Sequence, residues 1–325
     1  MASQPVCITP VPARETGGVF FLFPAFFIWG ISPVYWKALD HVPSLELLFQ
    51  RIIWSFVALF IMVVWQGKLN EMGAVMKSPS SMASLLGSTV LLSLNWYLFI
   101  WAVNNDQVLQ TSLGYYINPL IMVFLGMIFL GERLRPLQTG ALFIAGSAVL
   151  YYALGLGEFP WVALGIALSF GAYGLFHKIT QISSLTGLCL ETMILSVPAL
   201  AFVILGQING TSALFSIDLE TDILLVGTNL VTALPLLLFI VGARKSTMAT
   251  VGFMQYLAPT ITFVLAVLIY REPFSQERFL TFIMIWTALL LYSADSIHHF
   301  KKRIAGQKME IPYGKKFFRP FEKRE

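Results

Sequence analysis

Ten apolar runs follow one another along the 325-residue chain. Each is about 17–23 residues, the length a helix needs to cross the ~30 Å hydrocarbon core of a bilayer. They lie roughly at 19–37, 46–66, 82–103, 109–130, 136–155, 160–179, 186–206, 222–243, 248–270 and 276–297. In hydrocarbon a segment must satisfy its backbone polar groups internally, which makes each run a helix. The expectation is an all-α membrane protein with ten transmembrane helices. Composition agrees: 12% of residues are charged, against about 25% in soluble domains, and the mean hydropathy is +0.75.

The connections are short. The longest, about 67–81 and 207–221, are too short to hold a domain. Residues 1–18 lack the apolar core of a signal peptide, so the first run is expected to be an uncleaved span after a short tail. Residues 298–325 form a basic tail with a net charge of +6. Such a tail suits contact with anionic lipid, and no fold feature supports nucleic-acid binding.

Lysine and arginine counts orient the chain. With the N-terminus in the cytoplasm, cytoplasmic segments hold seventeen and outer segments three, namely Lys37, Arg271 and Arg278. Arg51 falls within the second run. Both termini are therefore expected to be cytoplasmic.

The stretch Thr111–Arg133 occurs twice. Tyr116/Tyr256, Pro119/Pro259, Ile121/Ile261 and Glu132/Glu272 are identical pairs at a shift of 140. Trp29-Gly30 recurs as Phe170-Gly171, and Lys37 as Lys178, at 141. Each half holds an odd number of spans, so the second half inserts upside down. Inverted five-span repeats are a recurrent architecture of secondary transporters. The expected divisions are 1–18, a first repeat at 19–155, a second at 160–297, and the tail.

The strings IWGISPVYWK (Ile28–Lys37), NWYLFIWAVNN (Asn95–Asn105), SLGYYINPL (Ser112–Leu120) and GMIFLGER (Gly126–Arg133) together resemble the EamA group of the drug/metabolite transporter superfamily. The resemblance spans nearly all of residues 18–297. It implies a multi-pass protein of the bacterial inner membrane, built of two inverted EamA repeats. It also implies a central cavity lined by the third, fourth, eighth and ninth helices. The chain departs from the pattern in its longer, more basic tail. The repeats themselves differ where Asn118 aligns with Ala258.

Candidate path residues follow from chemistry. Pro119 and Pro259 lack an N–H and free the carbonyls of Tyr115 and Gln255, which then need another partner. Ser112, Tyr116, Pro119, Val123 and Gly126 share one helix face. Tyr116 is expected near the outer mouth and Tyr256 near the inner mouth, each closing its own side. Asn95, an amide inside a span, needs a partner from a cavity or a helix, and Trp96 and Trp101 either stack on or bound a substrate or belong to an interfacial aromatic belt.

Among charges, Arg51 either meets an anionic substrate or snorkels to the surface. Glu191, inside the seventh span, is either a titrating coupling group or a paired helix-end acid. Lys37 with Glu272 outside, and Lys178 with Glu132 inside, are candidate closing ion pairs.

Cys7 and Cys189 show no pairing or metal spacing, and His41, His177, His298 and His299 form no metal motif. No phosphate-binding loop is present, so ATP is not a direct driver. The expected function is a secondary permease or exporter of a small organic metabolite or drug. It would need no cofactor and no metal, and protons are the default coupling ion. The alternative is a membrane enzyme or scaffold acting on lipid-linked substrates. An enzyme requires clustered acids or histidines that the sequence does not group.

Overall fold

The structure, a computed structural model, describes residues 15–105, 107–155, 159–269 and 276–309. Glu272, Cys7 and the tail beyond 309 lie outside the described residues, as do the side chains of Ser112 and Ala266. Every element among the described residues is helical. In order they are α1 (Glu15–Lys37), α2 (Ser44–Trp65), α3 (Leu69–Lys77), α4 (Pro79–Asn104), α5 (Val108–Leu130) and α6 (Pro136–Leu154). The rest are α7 (Trp161–Ile179), α8 (Ser184–Ile208), α9 (Leu219–Lys245), α10 (Met248–Gln255), α11 (Leu257–Leu268) and α12 (Gln276–Met309).

Ten segments among the described residues are long and apolar enough to span a membrane. They match the ten runs in the sequence. Two features were not foreseen. The short helix α3 fills the connection between the second and third spans. The ninth span is broken at Tyr256 into α10 and α11.

Local chemistry sets the boundaries. The Ser78 hydroxyl accepts from the Ser81 N–H, with Pro79 opening α4. Ser183 does the same for α8, Asp218 for α9 and Thr247 for α10. α5 ends at Gly131, whose φ of 63° is the left-handed conformation that glycine adopts without a Cβ clash.

The two prolines act differently. Pro259 interrupts its span one residue past Gln255, whereas α5 runs unbroken through Pro119.

The repeat is visible in the packing. Gly30 lies against Ile261, and Gly171 lies against Ile121, the corresponding residues of the other half. A Cβ placed on either glycine would come within 2.7 Å of its isoleucine partner. Some repeat-related residues touch each other. The Trp29 and Phe170 rings lie 6.0 Å apart, and the Tyr256 hydroxyl donates to the Tyr116 carbonyl at 3.2 Å. Residues in contact with their own repeat mates lie about the pseudo-two-fold axis, which runs in the membrane plane for inverted repeats.

Around this axis α1 packs on α9 and α11, α5 on α7, and α4 on α7. Phe26, Trp29, Phe170 and Phe239 form an aromatic centre with ring separations of 5.0–6.1 Å. α6 and α12 pair with each other, and Arg135 bonds the buried Asp295 between them.

Candidate functional site

Each end of the bundle has its own contacts. At the α1–α2 end, the Glu46 carboxylate accepts from the Ser212 hydroxyl and the Ala213 N–H, both at 2.7 Å. His41 reaches Thr221 at 3.0 Å. At the α9–α10 end, Glu132 accepts from the Met248 and Ala249 N–H groups at 2.8 and 3.1 Å, on the positive N-terminus of α10.

Lys178 donates to the carbonyls of Ala243 (3.0 Å) and Ser246, just before that terminus. Arg244 reaches back to the carbonyls of His177 at 2.7 Å, Thr180 at 3.3 Å and Ile182. Glu132 and Lys178 therefore grip one backbone turn from two sides. Among the described residues they form no direct ion pair, which corrects the expected closing pair. The backbone between them offers both N–H and C=O groups, so each charge finds a partner without the other. The counterpart pair cannot be described, because Glu272 lies outside the described residues.

Between α2, α4 and α8 lies a cavity of about 400 Å³. Leu45, Leu48, Phe49 and Ile52 line it from the start of α2. Ser93, Trp96, Tyr97, Trp101 and Asn105 line it from the end of α4, and Leu195 and Pro198 from mid-α8. Trp96 and Trp101 both line this cavity. Trp101 also packs on Trp161, with centroids 5.1 Å apart. The Arg51 guanidinium sits over the Trp96 ring, 4.8 Å from its centroid.

Asn95 does not face this space. Its amide donates across to α7, to the Ile166 carbonyl at 2.8 Å and to the Ser169 hydroxyl at 3.1 Å.

The proline-tyrosine elements form the helix crossing at the axis. Tyr116 packs edge-on against Tyr152 of α6 and Phe282 of α12, Tyr256 is fully buried, and Val123 belongs to the same cluster. The expected placement at two separate mouths is corrected: the tyrosines meet. Each stands about eight residues into its span from opposite ends, and crossing helices bring those levels together. A Cβ on Gly252 would lie 2.5 Å from the Pro119 carbonyl, so this crossing is close. Among the described residues, the amide oxygens of the buried Asn118 and Gln255 have no partner.

Glu191 is fully buried in α8. From α7, the Tyr173 hydroxyl donates to Oε2 at 3.0 Å and His177 Nε2 lies 2.9 Å from Oε1. From α4, the Ser88 hydroxyl donates to Oε1. Three helices therefore converge on one carboxylate. The serine sits on the carboxylate rather than on the imidazole, and His177 Nδ1 has no partner among the described residues. This is not the nucleophile–base–orienter order of a hydrolase. It is a hydrogen-bonded cluster around one buried acid. Leu195, on the cavity wall, lies one helical turn from Glu191 along α8.

The sequence had singled out Glu191 without its partners. The available signal was Tyr173 and His177 four residues apart inside an apolar span, a spacing that puts both on one face.

The EamA-like transporter family matches residues 16–153 and again 160–294, one match per repeat. The chain belongs to this family. Similar proteins include "Uncharacterized transporter YojE" of Bacillus subtilis, 42% identical over 88% of this chain and 96% of that one. "Protein RarD" of Escherichia coli is 39% identical over 88% and 97%. "Chloramphenicol-sensitive protein RarD" of Pseudomonas aeruginosa is 30% identical over 88% and 96%. A solved crystal structure superposes with a TM-score of 0.65 at 17% identity, over 85% of this chain and 97% of that one, which speaks for the fold. This is therefore a RarD-type EamA transporter and a multi-pass membrane protein.

Proposed function

We propose that the chain is a secondary carrier of the bacterial inner membrane, moving a small organic molecule by alternating access of its two inverted repeats. The observation that carries this is an asymmetry between equivalent positions. Leu45, Leu48, Ile52, Ser93 and Trp96 line the cavity. Their counterparts at a shift of 140 are Leu185, Leu188, Thr192, Ala233 and Leu236, and all five are buried in packed helix contacts. Leu45, Ser93 and Trp96 are exposed or half-buried where Leu185, Ala233 and Leu236 are buried, whereas Leu48 and Ile52 are buried like Leu188 and Thr192. Exchange of the two packings between repeats would move the opening to the opposite end, as inverted repeats permit. The positive-charge bias makes the α9–α10 end cytoplasmic. This form is then closed inside by Glu132, Lys178 and Arg244.

Glu191 is the candidate proton carrier. It lies one turn beyond the cavity wall, and opening of the closed half would bring water or substrate to it. Purified protein in proteoliposomes tests the reading. Substrate counterflow without a gradient, and accumulation driven by a pH gradient, are expected. Product formation without transport would instead favour a membrane enzyme.

A further inference from the structure

Arg51 is a cation inside a membrane span with no anion to hold. Among the described residues no carboxylate forms an ion pair with it, and its Nε is buried without an acceptor. Ser55, one turn along the same face of α2, is fully buried, and its hydroxyl also lacks a partner among the described residues. A charge held among apolar helices is costly unless it is paired. The Trp96 face recovers part of this as a cation–π contact. Among the described residues no hydrogen bond engages the guanidinium fork, which matches a planar oxyanion through paired N–H donors.

The position explains what such an anion would be attached to. Arg51 borders the stripe Leu48, Phe49 and Ile52, and its partner ring Trp96 is itself a cavity wall. Leu195, Pro198 and Trp101 add apolar and aromatic wall to what is a half-open cleft. About 400 Å³ is toward the small end of the range for ligand pockets. The space suits a compact apolar body and leaves one polar anchor at its edge.

We propose that Arg51 and Trp96 form the recognition pair for a small carboxylate with an apolar, aromatic body. The carboxylate pairs with the guanidinium, and the body lies against Trp96 and Trp101. This rests on the reading of the cavity as the substrate cavity. Glutamate or aspartate in place of Trp96 would neutralise the anchor and remove the selectivity.

The test uses full-length protein in neutral detergent, with benzoate, phenylacetate and indole-3-acetate as probes and their amides as uncharged isosteres. Binding is read by tryptophan fluorescence and by thermal stabilisation. At least one acid is expected to bind ten-fold or more tightly than its amide. Arg51→Gln should abolish that difference. Arg51→Lys, which keeps the charge and loses the fork, should retain part of it, with unliganded melting close to wild type. Equal behaviour of acids and amides across the panel overturns the proposal, as does acid binding undiminished in Arg51→Gln. Stabilisation by phosphatidylglycerol but by no carboxylate, lost in the same variant, assigns the anchor to a lipid phosphate and also overturns it. Acid binding through Arg51 without counterflow would leave this site standing and remove the carrier reading.

Discussion

Tyr256 donates its phenolic hydrogen bond to the main-chain carbonyl of Tyr116, 3.2 Å away, and the two residues hold the same position in the two halves of the chain. A residue that touches its repeat mate sits near the axis that exchanges the halves. Any rearrangement that swaps the two packings must pass through this contact. The bond is unsymmetrical, since a side chain on one half meets backbone on the other.

Tyr256→Phe removes that bond at a cost of about 1 kcal/mol. Because the bond lies at the axis, both ends should respond together. With the native cysteines replaced, single reporters at Ser44 and at Thr180 sample the two ends. Labelling by a membrane-impermeant maleimide should change at both. A change at one end alone would return Tyr256 to the role of a local gate.

The Gly252–Pro119 crossing makes a sharper prediction about packing. A methyl group on Gly252 meets a carbonyl oxygen at 2.5 Å, and backbone cannot swing aside as a side chain does. Gly252→Ala should cost about 1–3 kcal/mol, as overpacking does. Gly146 has nothing within 4 Å of an added Cβ. Gly146→Ala should gain up to ~1 kcal/mol from helix propensity. Thermal melts in detergent compare the two, and similar losses would contradict the crossing geometry.

Hydropathy made the ten spans legible, because a bilayer imposes length and apolarity on each helix regardless of its neighbours. The inverted repeat was legible as well: Gly30 and Gly171 must be small for Ile261 and Ile121 to approach, and that demand leaves matching residues in both halves. The partners of polar groups were not legible. Glu191 stood out as a buried acid, but Ser88, Tyr173 and His177 reach it from two other helices, and no spacing within one span encodes that meeting. Lys178 and Glu132 looked like an ion pair because topology put both at one end. Topology does not show that a backbone turn lies between them. Cavity walls on α8, such as Leu195 and Pro198, carried no signal, since apolar residues in a span face lipid, core or cavity alike.

Glu191→Gln keeps the shape of the side chain and removes its titration. Counterflow, which needs no net proton movement, should persist near wild-type rates, and accumulation driven by a pH gradient should be lost. Glu191→Ala should be worse folded, by about 1–3 kcal/mol, because it leaves the buried Tyr173 hydroxyl and His177 Nε2 without their partner, while Ser88 keeps the Leu85 carbonyl. Gradient-driven accumulation intact in Glu191→Gln would remove the residue from coupling.

Asp218 caps α9, and the Thr221 N–H at 2.7 Å holds its carboxyl below the usual carboxylate range. A lowered folded value gives stabilisation that is complete above the unfolded value, near ~4, and disappears as pH falls through the folded one. The melting difference between wild type and Asp218→Ala should therefore be constant at neutral pH and shrink below about pH 4. A difference that grew on acidification would refute the cap.

Glu132 and Lys178 hold opposite polarities of one turn: the first takes N–H groups that open α10, the second gives to carbonyls that close α9. Glu132→Gln keeps an acceptor but loses the charge on the helix terminus, at about 0.3–1 kcal/mol. Lys178→Met leaves its carbonyls without a charged donor, at about 1.5–3 kcal/mol. Because both act on the same turn, losing one loosens the other, and a double-mutant cycle should show coupling of about 0.5–3 kcal/mol. Two independent surface charges would give additive effects instead. The turn also closes the α9–α10 end, so each variant should raise maleimide labelling at Thr180 and lower it at cavity-lining Ser93. Additive melts with unchanged labelling at both positions would mean that the turn fastens the fold without gating it.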